Sequence, residues 1–154
     1  MQHIGPILLF VLSLGVAFAD IRDDYQAAYK DYPGNCDRAI SGFQDFLANY
    51  PDSEYSDDAT LLLGICYKAE KRYEQAIQTF DQLVERYPKS QAAPMALYEK
   101  ASMLDRLERH EEANHAWMEL MDLYPNSPQA IEERRRMGTD PPELRPQSPT
   151  RRSV

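Results

Sequence analysis

The chain has 154 residues, of which 43% are hydrophobic, and this is sufficient for one domain with a hydrophobic core. The formal net charge is −8, and residues 20–63 alone contain ten acidic and three basic side chains. A field of this sign repels phosphate backbones and anionic lipid heads, so the composition disfavours nucleic acid and membrane surfaces as partners.

The N-terminal segment has the pattern of a secretory signal peptide. An apolar run spans residues 6–16, the small-x-small motif AFA ends at Ala19, and Asp20 begins a polar sequence. The run is shorter than the roughly 18 to 20 residues of a membrane-spanning helix, which favours cleavage after Ala19 over a retained anchor. The first cysteine is Cys36, too distant for an N-terminal lipid anchor. We predict a signal peptide at 1–19 and no membrane insertion after cleavage.

The dipeptide Tyr-Pro recurs every 37 residues, at 50–51, 87–88 and 124–125. The three copies end similar segments, AISGFQDFLANYPDS, AIQTFDQLVERYPKS and ANHAWMELMDLYPNS. Apolar residues in each segment are spaced by three and four, which predicts an amphipathic helix. Proline lacks an N–H group and disfavours the helical conformation of the preceding tyrosine, so each helix should end there.

A second helix is predicted between successive copies. Serine follows each Tyr-Pro by two residues, and its hydroxyl can accept a free N–H group of the next helix. Pro94 and Pro128 then fall in a first helical turn, where the missing donor matters little. The predicted helices lie near residues 21–31, 36–50, 55–69, 73–87, 92–107, 110–124 and 128–137.

One such helix pair cannot bury its apolar face alone, so successive pairs should stack. We predict an all-α domain at 20–138, a right-handed solenoid of about three helix-turn-helix repeats with a C-terminal capping helix and a concave face. Residues 139–154 are rich in proline and poor in apolar residues, and are predicted to be disordered.

The segment 57–88 resembles a tetratricopeptide repeat. Small residues at the crossing of its two helices and larger residues around them match the family's spacing. The signature residues are Leu63, Gly64, Tyr67, Ala76, Phe80 and Pro88. The third copy keeps Ala101, Ala113, Trp117 and Pro125, and the first keeps Ala27, Ala39, Phe43 and Pro51.

Residues 23–135 are similar to a narrower group, the C-terminal repeat domain of the Tol-Pal accessory protein of Gram-negative bacteria. They resemble more distantly the outer-membrane assembly lipoprotein. The resemblance implies a periplasmic scaffold that binds partners in the cell envelope and helps coordinate outer-membrane constriction with wall synthesis. In a different kind of organism the protein would be secreted.

The resemblance also implies where a partner binds, because the family's groove is lined by the first helix of each pair. Carried onto this sequence, the inward positions are Asp24, Ala28, Asp31, Asp58, Leu61, Ile65, Lys68, Tyr98, Ser102 and Asp105. An acidic groove with apolar positions suits an extended or helical peptide that carries lysine or arginine. Leu61 and Ile65 are equally well explained as core residues.

Cys36 and Cys66 form a candidate disulfide, because an exported protein meets oxidising conditions. Cys36 begins one predicted helix and Cys66 lies near the end of the antiparallel helix expected beside it, so the two could be neighbours. The alternative is two separate buried thiols.

The sequence contains no HExxH, GxSxG, Walker or GxGxxG motif. His110 and His115 are five residues apart, on different faces of a helix, which is unsuitable for a metal pair. We therefore predict no enzymatic activity, no cofactor and no metal. The leading hypothesis is an envelope scaffold that binds proteins or peptides. The alternatives are a self-associating structural component, hence a homo-oligomer, and an undetected hydrolase or regulator of wall synthesis.

Overall fold

The computed structural model describes residues 21–138, all of whose regular elements are helices. The predicted signal peptide and C-terminal tail lie outside this range. The helices are residues 21–29 (α1), Cys36–Asn49 (α2), Ser56–Ala69 (α3), Tyr73–Arg86 (α4), Ala92–Arg106 (α5), His110–Leu123 (α6) and Pro128–Met137 (α7). These bounds agree with the predicted ones to within two residues.

The residues around each Tyr-Pro end one helix and begin the next. Helices α2, α4 and α6 each end immediately before the tyrosine. Ser127 then caps α7 by accepting a 3.1 Å hydrogen bond from the N–H of Ala130. Ser90 accepts from the N–H of Ala92, the first residue of α5, at 2.9 Å. The equivalent Ser53 makes only a 3.4 Å contact with the N–H of a residue that precedes α3.

The helices form two layers. Each helix from α2 onward packs against the next one in the chain, and α5 also packs against both α3 and α7. The even-numbered helices share no contact of that extent within the described residues. Because the odd-numbered helices approach one another more closely, they form the concave side of the array.

The core between the layers repeats with the sequence. Phe43, Phe80 and Trp117, each 37 residues apart, are all buried at the middle of an even-numbered helix. Helix α3 approaches Phe80 so closely at Gly64 that an added Cβ atom would lie 2.8 Å from the ring's Cδ1 atom. A glycine is therefore required at this helix crossing.

Tyrosine hydroxyls join each repeat to the one before it. The hydroxyl of Tyr87 donates a 2.6 Å hydrogen bond to the carbonyl of Pro51, and Tyr124 donates to Pro88 at 2.9 Å. The donor lies 36 residues after the acceptor in both bonds. The tyrosine that ends one helix therefore also satisfies a carbonyl at the end of the preceding repeat.

We expect Tyr87→Phe to lower the free energy of unfolding by about 1 kcal/mol, because the Pro51 carbonyl loses its donor while the ring remains in place. Urea unfolding measures this change. Tyr73→Phe is the matched control, since that hydroxyl has no hydrogen bond to another described residue. Equal stability of the two variants would show that the bond between repeats contributes nothing.

Candidate partner-binding face

Helices α3 and α5 supply most of the predicted groove. Their predicted inward side chains all remain at least partly exposed, as contact with a partner requires. These residues are Asp58, Leu61, Ile65 and Lys68 on α3, and Tyr98, Ser102 and Asp105 on α5.

A cleft of about 310 Å³ separates the two helices on this face. Lys68 and Ser102 line it, together with Glu99 and Arg106. The ammonium group of Lys68 is ion-paired with the carboxylate of Glu99, and both side chains are at most one-third exposed. The positive charge of Lys68 is thus neutralised within the protein.

Tyr98 and Asp105 belong to a packed cluster farther along the face. The indole N–H of Trp117 donates a 2.8 Å hydrogen bond to Asp105, and the ring of Tyr98 meets the indole edge-to-face at 5.4 Å. The second carboxylate oxygen of Asp105 lies 3.7 Å from Nδ1 of His110. These contacts fix both side chains in the folded protein without any partner.

Helix α1 lies in a different register from the one that the 37-residue period predicts. Ala27 should face α2, but it is exposed, and Ala28 is buried with 5% of its surface accessible. An added Cβ atom on Gly42 of α2 would lie 3.0 Å from the Cα atom of Ala28. One residue fewer separates Ala28 from Ala39 than separates the equivalent pair in the second repeat. Ala28 therefore cannot contact a partner, contrary to the prediction.

The two aspartates predicted on this helix are also engaged locally. Asp24 accepts a 2.6 Å hydrogen bond from the hydroxyl of Tyr50 at the end of α2. Asp31 lies half-buried in the turn after α1, where its carbonyl accepts from the N–H of Asn35 at 2.7 Å. Asp24 is thus bonded to the neighbouring helix of its own repeat.

A row of tyrosine rings marks another face of α1. Tyr25, Tyr29 and Tyr32 are spaced as i, i+4 and i+7, which places them on one side of the helix and its continuation. Successive ring centroids are 6.1 and 5.5 Å apart. Tyr25 also stacks on Tyr55, at 4.9 Å, just before α3. The spacing of these tyrosines is visible in the sequence, and it is the signal by which this face could have been predicted.

The tyrosine row has an acidic side chain near each end, Asp58 near Tyr25 and Glu99 near Tyr32. Burial raises the pKa of Tyr25 to about 12, and the carboxylate of Asp58 in the first turn of α3 is the second cause. At the other end, burial raises the pKa of Tyr32, with a smaller contribution from Glu99 on α5. The row therefore runs from the first turn of α3 toward the side of the domain where Glu99 lies.

The carboxyl group of Asp58 is itself perturbed. Partial burial raises its pKa, and the charge of the adjacent Asp57 raises it further. Asp57 accepts a 2.5 Å hydrogen bond from the hydroxyl of Ser90. Neither aspartate is ion-paired with any described residue. Two carboxylates thus lie side by side with no compensating cation.

We expect Asp58→Asn to raise the free energy of unfolding at pH 7 by a few tenths of a kcal/mol. The pKa of Asp58 is higher in the folded protein than in the unfolded chain, so ionisation of Asp58 destabilises the fold. The gain in stability from Asp58→Asn is therefore complete at pH values above the folded-state pKa. It should vanish below the ordinary value of about 3.9. The helix N-terminus favours a negative charge, but Asp57 already supplies one.

Urea unfolding at pH 7 and pH 3 measures the effect of Asp58→Asn. Asp122→Asn on α6 is the control, because its side chain is also exposed. A loss of stability at pH 7, or a gain that is equal at both pH values, would contradict the prediction.

Cys36 and Cys66 are both buried free thiols, and the disulfide stays a prediction. Burial raises the pKa of the Cys66 thiol, and the neighbouring Cys36 thiol raises it further. The two side chains are therefore close, as the helix positions predict. The raised pKa disfavours the thiolate that disulfide exchange requires.

Residues 21–138 contain no group of three or more His, Cys, Asp or Glu side chains arranged to hold a metal ion. His110 and His115 are both exposed on α6. Within the same range, no helix has the length and apolar character needed to cross a bilayer.

Comparison with known families agrees with the architecture. The family model described as "Tetratricopeptide repeat" matches residues 12–53, 58–90 and 95–127, which together make up more than half of the chain. No curated protein matches the sequence. The second and third matches correspond to the helix pairs α3–α4 and α5–α6.

Proposed function

Because the chain belongs to the tetratricopeptide repeat family, we propose that it is a non-enzymatic scaffold that binds partner proteins or peptides on its concave face. Repeats of this family generally bind proteins. The observation that carries the proposal is the face of α3 and α5, where the partly exposed side chains of Lys68 and Ser102 border a cleft and those of Leu61 and Tyr98 lie on the same two helices.

We further propose that the scaffold is exported and acts in the cell envelope. The apolar run at 6–16 and the cleavage motif ending at Ala19 support export. The similarity of residues 23–135 to the Tol-Pal accessory domain supports a periplasmic role linked to outer-membrane constriction and wall synthesis. The more distant similarity to the outer-membrane assembly lipoprotein supports assembly of outer-membrane proteins as an alternative.

Self-association is a second candidate, which exposed apolar side chains on α6 favour. Met118 and Leu123 are 60% and 55% exposed, whereas the equivalent positions of α4 carry the polar Asp81 and Arg86. A second copy of the chain could cover these side chains. Light scattering across a concentration series tests this candidate, because only self-association gives a mass that rises with concentration.

A pull-down from detergent-solubilised cell envelopes tests the scaffold proposal. The wild-type protein is compared with the double variant Lys68→Ala, Tyr98→Ala and with a control double variant Gln78→Ala, Glu85→Ala on exposed positions of α4. Circular dichroism first establishes that each variant is folded. We expect a stoichiometric partner that only the concave-face variant loses. A partner retained by both variants would place binding elsewhere, and no partner for any protein would contradict the scaffold function.

A further inference from the structure

The tyrosine row of Tyr25, Tyr29, Tyr32 and Tyr55 is a candidate contact surface that the register of α1 creates. A single exposed aromatic side chain needs no explanation, but here four rings form a continuous chain of contacts. Tyr29 lies at the middle of the row and is 43% exposed. None of the four hydroxyls has a hydrogen bond to another described residue. Tyr25 is partly covered by Tyr55 and Phe46, whereas the ring and hydroxyl of Tyr29 remain available to a ligand.

The charges near the tyrosine row favour a cationic ligand. Asp57 and Asp58 lie at one end without a cation, and at the other end Lys68 is already neutralised by Glu99. Burial raises the pKa of Tyr25 to about 12 and also raises that of Tyr32, so these two rings carry no charge at neutral pH. A cation is attracted both to the negative face of an aromatic ring and to a carboxylate, whereas an anion is repelled by both.

We propose that the tyrosine row and Asp58 bind a lysine or arginine side chain of the partner segment, with the cation over the ring of Tyr25 or Tyr29 and beside the Asp58 carboxylate. This inference rests on the proposed function and specifies the partner's chemistry. The rest of the segment lies along α3 toward Ile65 and the cleft between α3 and α5. The site differs from the aspartates predicted on α1, because Asp24 is bonded to Tyr50.

The probe is an acetylated and amidated peptide, Gly-Lys-Leu-Ser-Lys-Leu-Ser-Lys-Gly, and its control has glutamine in place of each lysine. Binding to the purified protein is followed by NMR titration at low salt. We expect the lysine peptide to bind at least tenfold more tightly and to shift the signals of Tyr25 and Tyr29. Tyr29→Leu and Asp58→Asn should each weaken binding about fivefold, and Asp122→Asn less than twofold.

Two outcomes would overturn the inference. The first is equal binding of the lysine and glutamine peptides. The second is a preference for lysine that Tyr29→Leu and Asp58→Asn leave unchanged, which would indicate attraction to the net charge alone. Both variants are at exposed positions, and circular dichroism establishes their folding.

The inference and the scaffold function can fail separately. A natural partner that is lost by the Lys68→Ala, Tyr98→Ala variant but retained by Tyr29→Leu and Asp58→Asn would support the scaffold and refute the cation site. If the lysine peptide binds at the tyrosine row and no partner is captured, the cation site stands and the scaffold function falls.

Discussion

Replacing Phe80 by alanine should lower the free energy of unfolding by about 3–5 kcal/mol, the largest change that we expect from any single substitution. The ring is fully buried and fills the space above Gly64 at the crossing of α3 and α4. A domain of this size has a stability of about 5–15 kcal/mol, so the loss is a large part of the total. Urea unfolding followed by circular dichroism measures it.

Gly64, which packs against the Phe80 ring, gives an independent test. Gly64→Ala adds a Cβ atom 2.8 Å from Cδ1 of Phe80, and such overpacking costs about 1–3 kcal/mol, against a gain of about 1 kcal/mol in helix propensity. The double variant Gly64→Ala, Phe80→Leu should recover part of the stability that Gly64→Ala loses, because the smaller leucine side chain leaves room for the added Cβ atom. Gly34→Ala is the control, since its nearest neighbour is 3.9 Å away. A Phe80→Ala loss below 1 kcal/mol, or no coupling between the two positions, would contradict this packing.

The second large effect is expected at the capping helix, where Glu133 is buried with 2% of its side chain exposed. Arg136 donates two hydrogen bonds to its carboxylate, of 2.8 and 2.6 Å. Arg136→Met should lower the free energy of unfolding by about 2–3 kcal/mol, because it leaves a buried charge without its partner. Thermal unfolding measures the change.

The neighbouring ion pair provides the control for Arg136. Arg135 is paired with Glu132, and both side chains are more than half exposed, so Arg135→Met should change stability by less than about 0.5 kcal/mol. Adding Glu133→Gln to Arg136→Met should recover much of the loss, since the buried group is then neutral. Equal effects of the two arginine substitutions would show that the buried pair has no special role.

The even-numbered helices were predictable in detail because one sequence pattern specifies both their ends and their buried side. The spacing of 37 residues correctly places Phe43, Phe80 and Trp117 in the core. Proline after each tyrosine correctly marks the helix end, since this effect is local and independent of packing. Ser127 follows the same logic and caps α7.

The register of α1 could not be read from the period, because it depends on the length of one turn. Six residues separate α1 from α2, against three between the two helices of each later pair, and Ala28 lies 11 residues before Ala39 whereas Gly64 lies 12 before Ala76. The helix therefore presents Tyr25 and Tyr29 where the period predicts Asp24 and Ala28. The burial of Glu133 was missed for a different reason. A Glu-x-x-Arg spacing is found on many exposed helices, and only the packing of α7 distinguishes this pair from its neighbour.

Site-specific photocrosslinking in intact cells tests the central claim most directly. A photoreactive amino acid is placed at Ser102 on the concave face and, in a second protein, at Gln78 on the exposed side of α4. We expect one discrete protein adduct from position 102 and none from position 78. Equal adducts from both positions, or an adduct from position 78 alone, would contradict partner binding on the concave face.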